Sequence, residues 1–227
     1  MLKSSHVLCK VKDLAASVDQ WRHAGFTVQW GSDPNHAINA IVWFDKGPFI
    51  ELIDVKGAQP PQAYRAQLPA GMLARFDRWL AAPEGWCDLC LESDGDITPH
   101  LPTLEAAGIE AVGPIVGHRT PPDGKAIRTQ TCFPTDPALP FFMGAYVPDA
   151  RPRRVSHPNG ATSIAAIQLT APNDRDRQYA ALLGHSDPWL QRTQGEYGVH
   201  VVSVYGLRDP IPTEQAAYVP ITQVSPR

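Results

Sequence analysis

The chain has 227 residues, with 20 Lys and Arg against 23 Asp and Glu, a net charge of −3 that offers no basic surface for nucleic acid. No apolar run approaches the ~18 residues of a membrane span, and the opening MLKSSHVLCK lacks the apolar core of a signal peptide, so a cytoplasmic protein is expected. The length suits one compound domain or two small ones, and the 23 prolines gather in connections such as Pro60-Pro61 and Pro121-Pro122, which read as stiff loops.

The first predicted unit occupies residues 1–55. Val7, Cys9 and Val11 alternate with His6, Leu8 and Lys10 at strand period. Asp13 stands at a helix N-cap, Leu14, Val18 and Trp21 form one helical stripe, and Gly25 closes the helix. Phe26 to Trp30, His36 to Phe44 and, after Gly47-Pro48, Phe49 to Val55 read as strands, giving the order β-α-β-β-β. Two polar residues interrupt the pattern. His6 lies on the face opposite the Val7/Cys9/Val11 row, and Glu51 sits between Phe49 and Ile53 on one face of the fourth strand. Burying a carboxylate without a partner is costly. A His and a Glu facing one concavity have the chemistry of two divalent-metal ligands with open positions, or of a plain hydrogen-bonded pair.

Residues 56–84 read as a helical insertion. Leu73, Phe76 and Leu80 share one face of a helix expected to pack on the outside. Residues 85–148 then repeat the first unit. Trp86 to Glu92 alternates as a strand, and Asp96, Ile97, Leu101, Leu104, Gly108 and Ile109 each follow Asp13, Leu14, Val18, Trp21, Gly25 and Phe26 by 83 residues, the mark of a duplicated unit. Three strands are expected at Ala111 to His118, Ala126 to Phe133 and Leu139 to Val147. The Cys87-Asp88-Leu89-Cys90 pair lies in a strand rather than at a helix start, so the four cysteines read as structural thiols. Aligning Pro48-Phe49 with Pro140-Phe141 sets Met143 against Glu51, and Trp86 or Asp88 falls against His6. Residues 149–227 read as an abbreviated third module, with strands near Ala161 to Ala171, Val199 to Leu207 and Ala217 to Val224 and a helix over Asp174 to Leu183.

An opening His6-Val7 strand, Asp13-Leu14 at the helix start, His36-Ala37-Ile38-Asn39-Ala40, Glu51-Leu52-Ile53 and, far downstream, His157-Pro158-Asn159-Gly160-Ala161 come in an order that resembles the glyoxalase-like domain branch of the vicinal oxygen chelate superfamily. Glyoxalase I, extradiol dioxygenases and bleomycin-resistance proteins belong to that superfamily. The resemblance implies an α+β fold whose tandem βαβββ modules form a barrel-like cleft. It also implies His6 and Glu51 as catalytic residues and as ligands of a divalent metal of unspecified identity, a pair that Asp88 or His157 would at best extend to three, which makes a weaker site than usual. Members that bind metal through both halves usually carry His and Glu in each half, and the second half here lacks that set.

Arg128, mid-strand, suits a clamp for a substrate carboxylate or phosphate, or an ordinary edge position. His36 and Asn39 fall on opposite faces of one strand, so at most one reaches the cleft. Trp86 and His157 complete the expected substrate-binding set. Two functions stand open. One is a small-molecule lyase, isomerase or oxygenase, either metal-assisted or with Glu51 as general base. The other is a protein that sequesters an aromatic ligand without turning it over, for which Trp30, Trp43, Phe49, Trp86 and Phe142 are the expected wall. A small molecule is the expected partner, with no nucleic acid or membrane, and a homodimer is left open.

Overall fold

The computed structural model describes residues 1–59, 65–184, 186–212 and 219–224. The first module runs β1 (Lys3–Val11), α1 (Leu14–His23), β2 (Gln29–Trp30), β3 (Asn39–Val42) and β4 (Phe49–Asp54). Helix α2 (Ala70–Ala81) follows, and then the second module: β5 (Gly85–Glu92), a 3-10 turn at Thr98–His100 leading into α3 (Leu101–Ala106), β6 (Ala111–Arg119), β7 (Ile127–Pro134) and β8 (Phe141–Met143). One eight-stranded sheet takes the order β2-β3-β4-β1-β5-β8-β7-β6. The first and last strands of each module are parallel neighbours, β1 with β4 and β5 with β8, and the modules join through the antiparallel pair β1–β5.

The repeat seen in the sequence is a repeat of backbone chemistry. Gly25 and Gly108 take φ values of +82° and +83°. The amides of Phe26 and Ile109 both bond back at 3.0 Å, to the carbonyls of Trp21 and Leu104. Asp13 caps α1 by accepting from the Ala16 amide at 2.9 Å. Asp96 accepts from Thr98 at 2.7 Å, but Pro99 and Pro102 fall in this segment and its first turn is 3-10 rather than α. Leu14, Val18, Trp21, Ile97 and Leu104 are all buried in one core on the convex face of the sheet.

Helix α2 does not lie outside. Its buried residues are Met72, Arg75, Phe76 and Trp79, whereas Leu80 is exposed. Met72, Phe76 and Trp79 pack with Leu8, Ile53, Cys90, Phe141 and Met143, so the helix covers the concave side of the sheet. Met72, Phe76 and Trp79 form a stripe at i, i+4 and i+7 that shares Phe76 with the expected one, and the pairing of buried Arg75 with Asp88 selects it.

The C-terminal unit comprises β9 (Ser163–Ala171), α4 (Asp176–Leu183), β10 (Leu190–Gln194), β11 (Gly198–Tyr205) and β12 (Ile221–Val224). Its sheet order is β10-β9-β11-β12. In the modules the last strand returns beside the first, whereas here β10, directly after the helix, lies parallel to β9. This strand order departs from the module pattern expected for residues 149–227. Ile164, Ile167, Leu169, Val202 and Val204 join the convex core with Val7, Cys9, Leu89 and Leu91, so the small sheet backs the seam between the modules. Among the described residues no helix is long and apolar enough to cross a membrane.

Candidate functional site

Strand parity directs side chains onto the concave face: His6 and Leu8 from β1, Phe49, Glu51 and Ile53 from β4, Thr129, Thr131 and Phe133 from β7. Together with Asn39, Ile115, Arg119, Phe141, Met143, Tyr146 and the inner side of α2, these residues bound a cavity of about 390 Å³, to which Phe49 adds a wall behind His6. The α2 side is apolar, formed by Met72, Phe76, Trp79, Phe133 and Phe141. At the other end His6, Asn39, Glu51, Arg119 and Tyr146 gather.

Glu51 is the centre of the polar end. Its Oε2 lies 3.1 Å from His6 Nε2, and its Oε1 accepts from Asn39 Nδ2 at 2.7 Å. Burial alone would raise the carboxyl. The His6 hydrogen bond and charge, the Asn39 bond and the Arg119 charge outweigh that effect and hold Glu51 below the usual carboxylate range. His6 stacks on Phe49 with ring centroids 4.6 Å apart, and Phe141 meets its edge at 5.7 Å. Its Nδ1 lies 3.0 Å from Ser5 Oγ, and that hydroxyl donates to Glu92 Oε2 at 2.8 Å. A hydroxyl has one proton, so with Glu92 taking it, Ser5 accepts from His6 Nδ1–H. A ring protonated on both nitrogens satisfies the Ser5 and Glu51 contacts together.

Gly31 makes the Asn39 contact feasible: a Cβ at this position would stand 1.8 Å from Asn39 Oδ1. Arg119 donates from Nη1 to the Gly31 carbonyl at 3.2 Å and lies over the Tyr146 ring at 5.2 Å. Among the described residues no carboxylate comes within ion-pair distance of it, which leaves its charge to the cavity. Burial, with the Glu51 charge adding to it, pushes the Tyr146 hydroxyl upward, so it stays a donor.

The remaining expected site residues stand elsewhere. Arg128 is exposed on the opposite face of β7, because Thr129 and Thr131 take the inward positions. The cavity's cation is Arg119 instead, one residue past the expected end of β6, on the parity shared by Ile115 and Gly117. His36 lies in an exposed turn before β3, 4.0 Å from Asp33. Trp86 packs on the convex core and reaches the Pro220 carbonyl at 3.4 Å. His157 is buried as a staple: Nδ1 accepts from the Thr27 amide and Nε2 donates to the Trp43 carbonyl, both at 2.9 Å. Its neighbour Asn159 bonds the Ala24 and Gly25 carbonyls, so the His-Pro-Asn-Gly-Ala stretch locks the end of α1. Of the aromatic wall expected, only Phe49 reaches the polar end; Phe76, Trp79, Phe133 and Phe141 line the cavity.

Asp88 is also committed. Its Oδ2 accepts from Arg75 at 2.7 Å, Arg78 at 2.9 Å and Trp79 at 2.8 Å, and its Oδ1 from Tyr197 at 2.6 Å and the Leu89 amide at 2.8 Å. The pairing register gives the second-module counterparts of the polar pair. Cys90 pairs with Phe141 as His6 pairs with Phe49, and Met143 follows Phe141 as Glu51 follows Phe49. The counterpart of His6 is thus Cys90, not Trp86 or Asp88. Burial first, with the charges of Glu92 and Glu51, pushes the Cys90 thiol well above its usual range, and it donates to the Leu91 carbonyl at 3.3 Å. Among the described residues no cluster of three or more His, Cys, Asp or Glu is disposed to hold a metal ion. One imidazole and one carboxylate bonded to each other, with a protonated thiol and a thioether at the symmetric positions, supply only two nitrogen or oxygen donors and do not fit a divalent ion that seeks three or more. All four cysteines are free thiols.

The family model described as glyoxalase-like domain matches residues 5–183. No curated protein sequence matches the chain. Among solved structures, a hypothetical protein from Staphylococcus aureus is similar over 99% of this chain and 100% of that one, with TM-score 0.68 and 14% identity. The Mn(II)-bound glyoxalase from Novosphingobium aromaticivorans is similar over 89% of this chain and 65% of that one, with TM-score 0.54 and 16% identity. The 2,3-dioxygenase LapB from Pseudomonas sp. KL28 is similar over 94% and 76%, with TM-score 0.51 and 11% identity. At these identities what is shared is the fold.

Proposed function

Since the chain belongs to the glyoxalase-like domain family, within the vicinal oxygen chelate superfamily, we propose that it is a small-molecule enzyme of the isomerase or lyase type in which Glu51 moves a proton. The observation that carries this reading is a charged carboxylate, held by His6 at 3.1 Å and Asn39 at 2.7 Å, at the end of an apolar cavity that also receives a cation and a phenol. The family's structural neighbours include a glyoxalase and a dioxygenase, which supports an enzyme; the fit of the donor set supports proton transfer by the chain's own residues.

The substrate's apolar portion packs against Phe76, Trp79, Phe133 and Phe141. Its entry displaces water and strengthens the burial effect on Glu51, drawing the carboxylate toward proton acceptor strength. Asn39 and His6 fix the carboxylate's orientation, and Glu51 removes a proton from a carbon next to a carbonyl. Arg119 and the Tyr146 hydroxyl supply positive charge and a donor where the oxyanion develops. The same Glu51 returns the proton to isomerise, or a leaving group departs in a lyase. We place this activity in the cytoplasm, acting on a small molecule.

A panel of carbonyl-activated carbon acids incubated in D₂O tests the reading by NMR. Deuterium incorporation into at least one member that disappears in Glu51→Gln is expected. Equal incorporation with both proteins overturns Glu51 as base. Tight binding of a panel member without any exchange would instead favour sequestration.

A further inference from the structure

A second hollow of about 430 Å³ lies beside the cavity, bordered by Lys3, Glu92, Asp94, Asp149 and Arg151; it shares Tyr146 with the cavity's polar end, and Phe49, which lines it, stacks on His6. Glu92 reaches it with its side chain 16% exposed, whereas Ser5 and His6 are buried. Between the two spaces runs an unbroken line of contacts: Glu51 to His6 at 3.1 Å, His6 to Ser5 at 3.0 Å, and Ser5 to Glu92 at 2.8 Å. Ser5 can make both of its bonds because β1 carries a register shift between Ser4 and His6, which sets Ser5 out of the ladder. Four polar side chains joined in sequence through a buried strand are costly unless each is satisfied, and here each is.

We infer that Ser5 and Glu92 are positioning residues that form a proton relay from the His6–Glu51 pair to solvent in the second hollow. The relay serves the proposed role of Glu51, but the coupling itself exists with or without turnover. The protons balance. The substrate's proton goes to Glu51; the His6 Nδ1 proton moves to Ser5 as Ser5 passes its own to Glu92; and Glu92 hands that proton to water. Glu51 and His6 together then hold the same number of protons as before, Ser5 keeps a hydroxyl throughout, and the reverse path restores the start. The filled cavity can thus exclude water without stranding an extra positive charge on the pair.

The groups facing His6 are Glu51 from β4, Cys90 from β5, Arg119 from β6 and Tyr146, with Glu92 behind Ser5 and Lys3 at 3.9 Å from Glu92. Of these, only Glu92 is changed by Glu92→Gln.

The test follows exchange of the His6 ring protons with water by NMR on ¹⁵N-labelled protein at one fixed pH, assigned by His6→Gln, with no ligand added. Glu92→Gln removes the acceptor at the end of the hydrogen-bonded line, and exchange of the Nδ1 proton is expected to slow several-fold. Ser5→Ala should slow it likewise, and Ser5→Thr, which keeps the hydroxyl, should restore it. Nδ1 exchange as fast or faster in Glu92→Gln and Ser5→Ala than in the wild type overturns the relay. That failure is separate from failure of Glu51 as base, which is read from carbon-acid exchange in Glu51→Gln.

Discussion

The two modules of the large sheet share a backbone and divide its chemistry. Each places one carboxylate near the cavity wall. In the first module Glu51 accepts from two side chains and opens onto the cavity. In the second, Asp88 accepts five hydrogen bonds and is fully buried. At the positions matching His6 and Glu51 the second module has Cys90 and Met143, and these complete an apolar wall instead of a second polar pair. A duplicated fold thus needs only a few changed positions on one face to separate chemistry from scaffold, since the convex core that holds the modules together is untouched.

The sharpest test of that division is Asp88→Ala. It leaves Arg75 buried without its anion, and a loss of about 3–5 kcal/mol in urea unfolding is expected; Asp88→Asn, which keeps an acceptor, should cost less. Glu51→Gln should show the opposite signature, with carbon-acid exchange down about 100-fold or more and a smaller loss of unfolding free energy than Asp88→Ala, since the amide keeps an acceptor for His6. If both variants lost stability alike, the two carboxylates would not differ in role.

Making the halves chemically alike probes the comparison from the other side. Cys90→His combined with Met143→Glu supplies a second imidazole and carboxylate, and Mn(II) affinity by calorimetry should rise at least about 10-fold over the parent. Elemental analysis of the parent purified with chelator should find metal well below one per chain.

The smallest effect distinguishes the two buried histidines of this region. Burial holds the His157 imidazole below its ordinary value, against the Trp43 carbonyl bond and the Asp45 charge. A depressed folded value means that the unfolded chain binds the proton more readily, so His157 contributes stability above its unfolded value of about 6.5 and loses it as pH falls toward the folded one. His157→Gln should flatten the decline of the urea midpoint below about pH 6.5, a change on the order of 1 kcal/mol. An unchanged slope would show that His157 does not titrate with unfolding.

Local pattern alone determined much of this protein. Alternation set the faces of β1 and β4, because side-chain direction along a strand depends only on parity, whereas the meeting of His6 and Glu51 also needed β4 to return beside β1, as the resemblance implied. The 83-residue echo from Asp13 to Ile109 survives in cap, glycine and hydrogen bond because those features are local to a helix end. Arg119 was legible in principle, on the same parity as Ile115, had β6 been carried one residue further. Tertiary structure decided the rest. Nothing near Asp88 in the sequence announces Arg75, Arg78 and Tyr197 as its partners, and nothing near His157 announces Thr27 and Trp43. The burial of α2 over the cavity turned on Arg75 being neutralised from another element. A polar residue's role depends on which distant groups satisfy it, and only the folded chain brings those groups within hydrogen-bond reach.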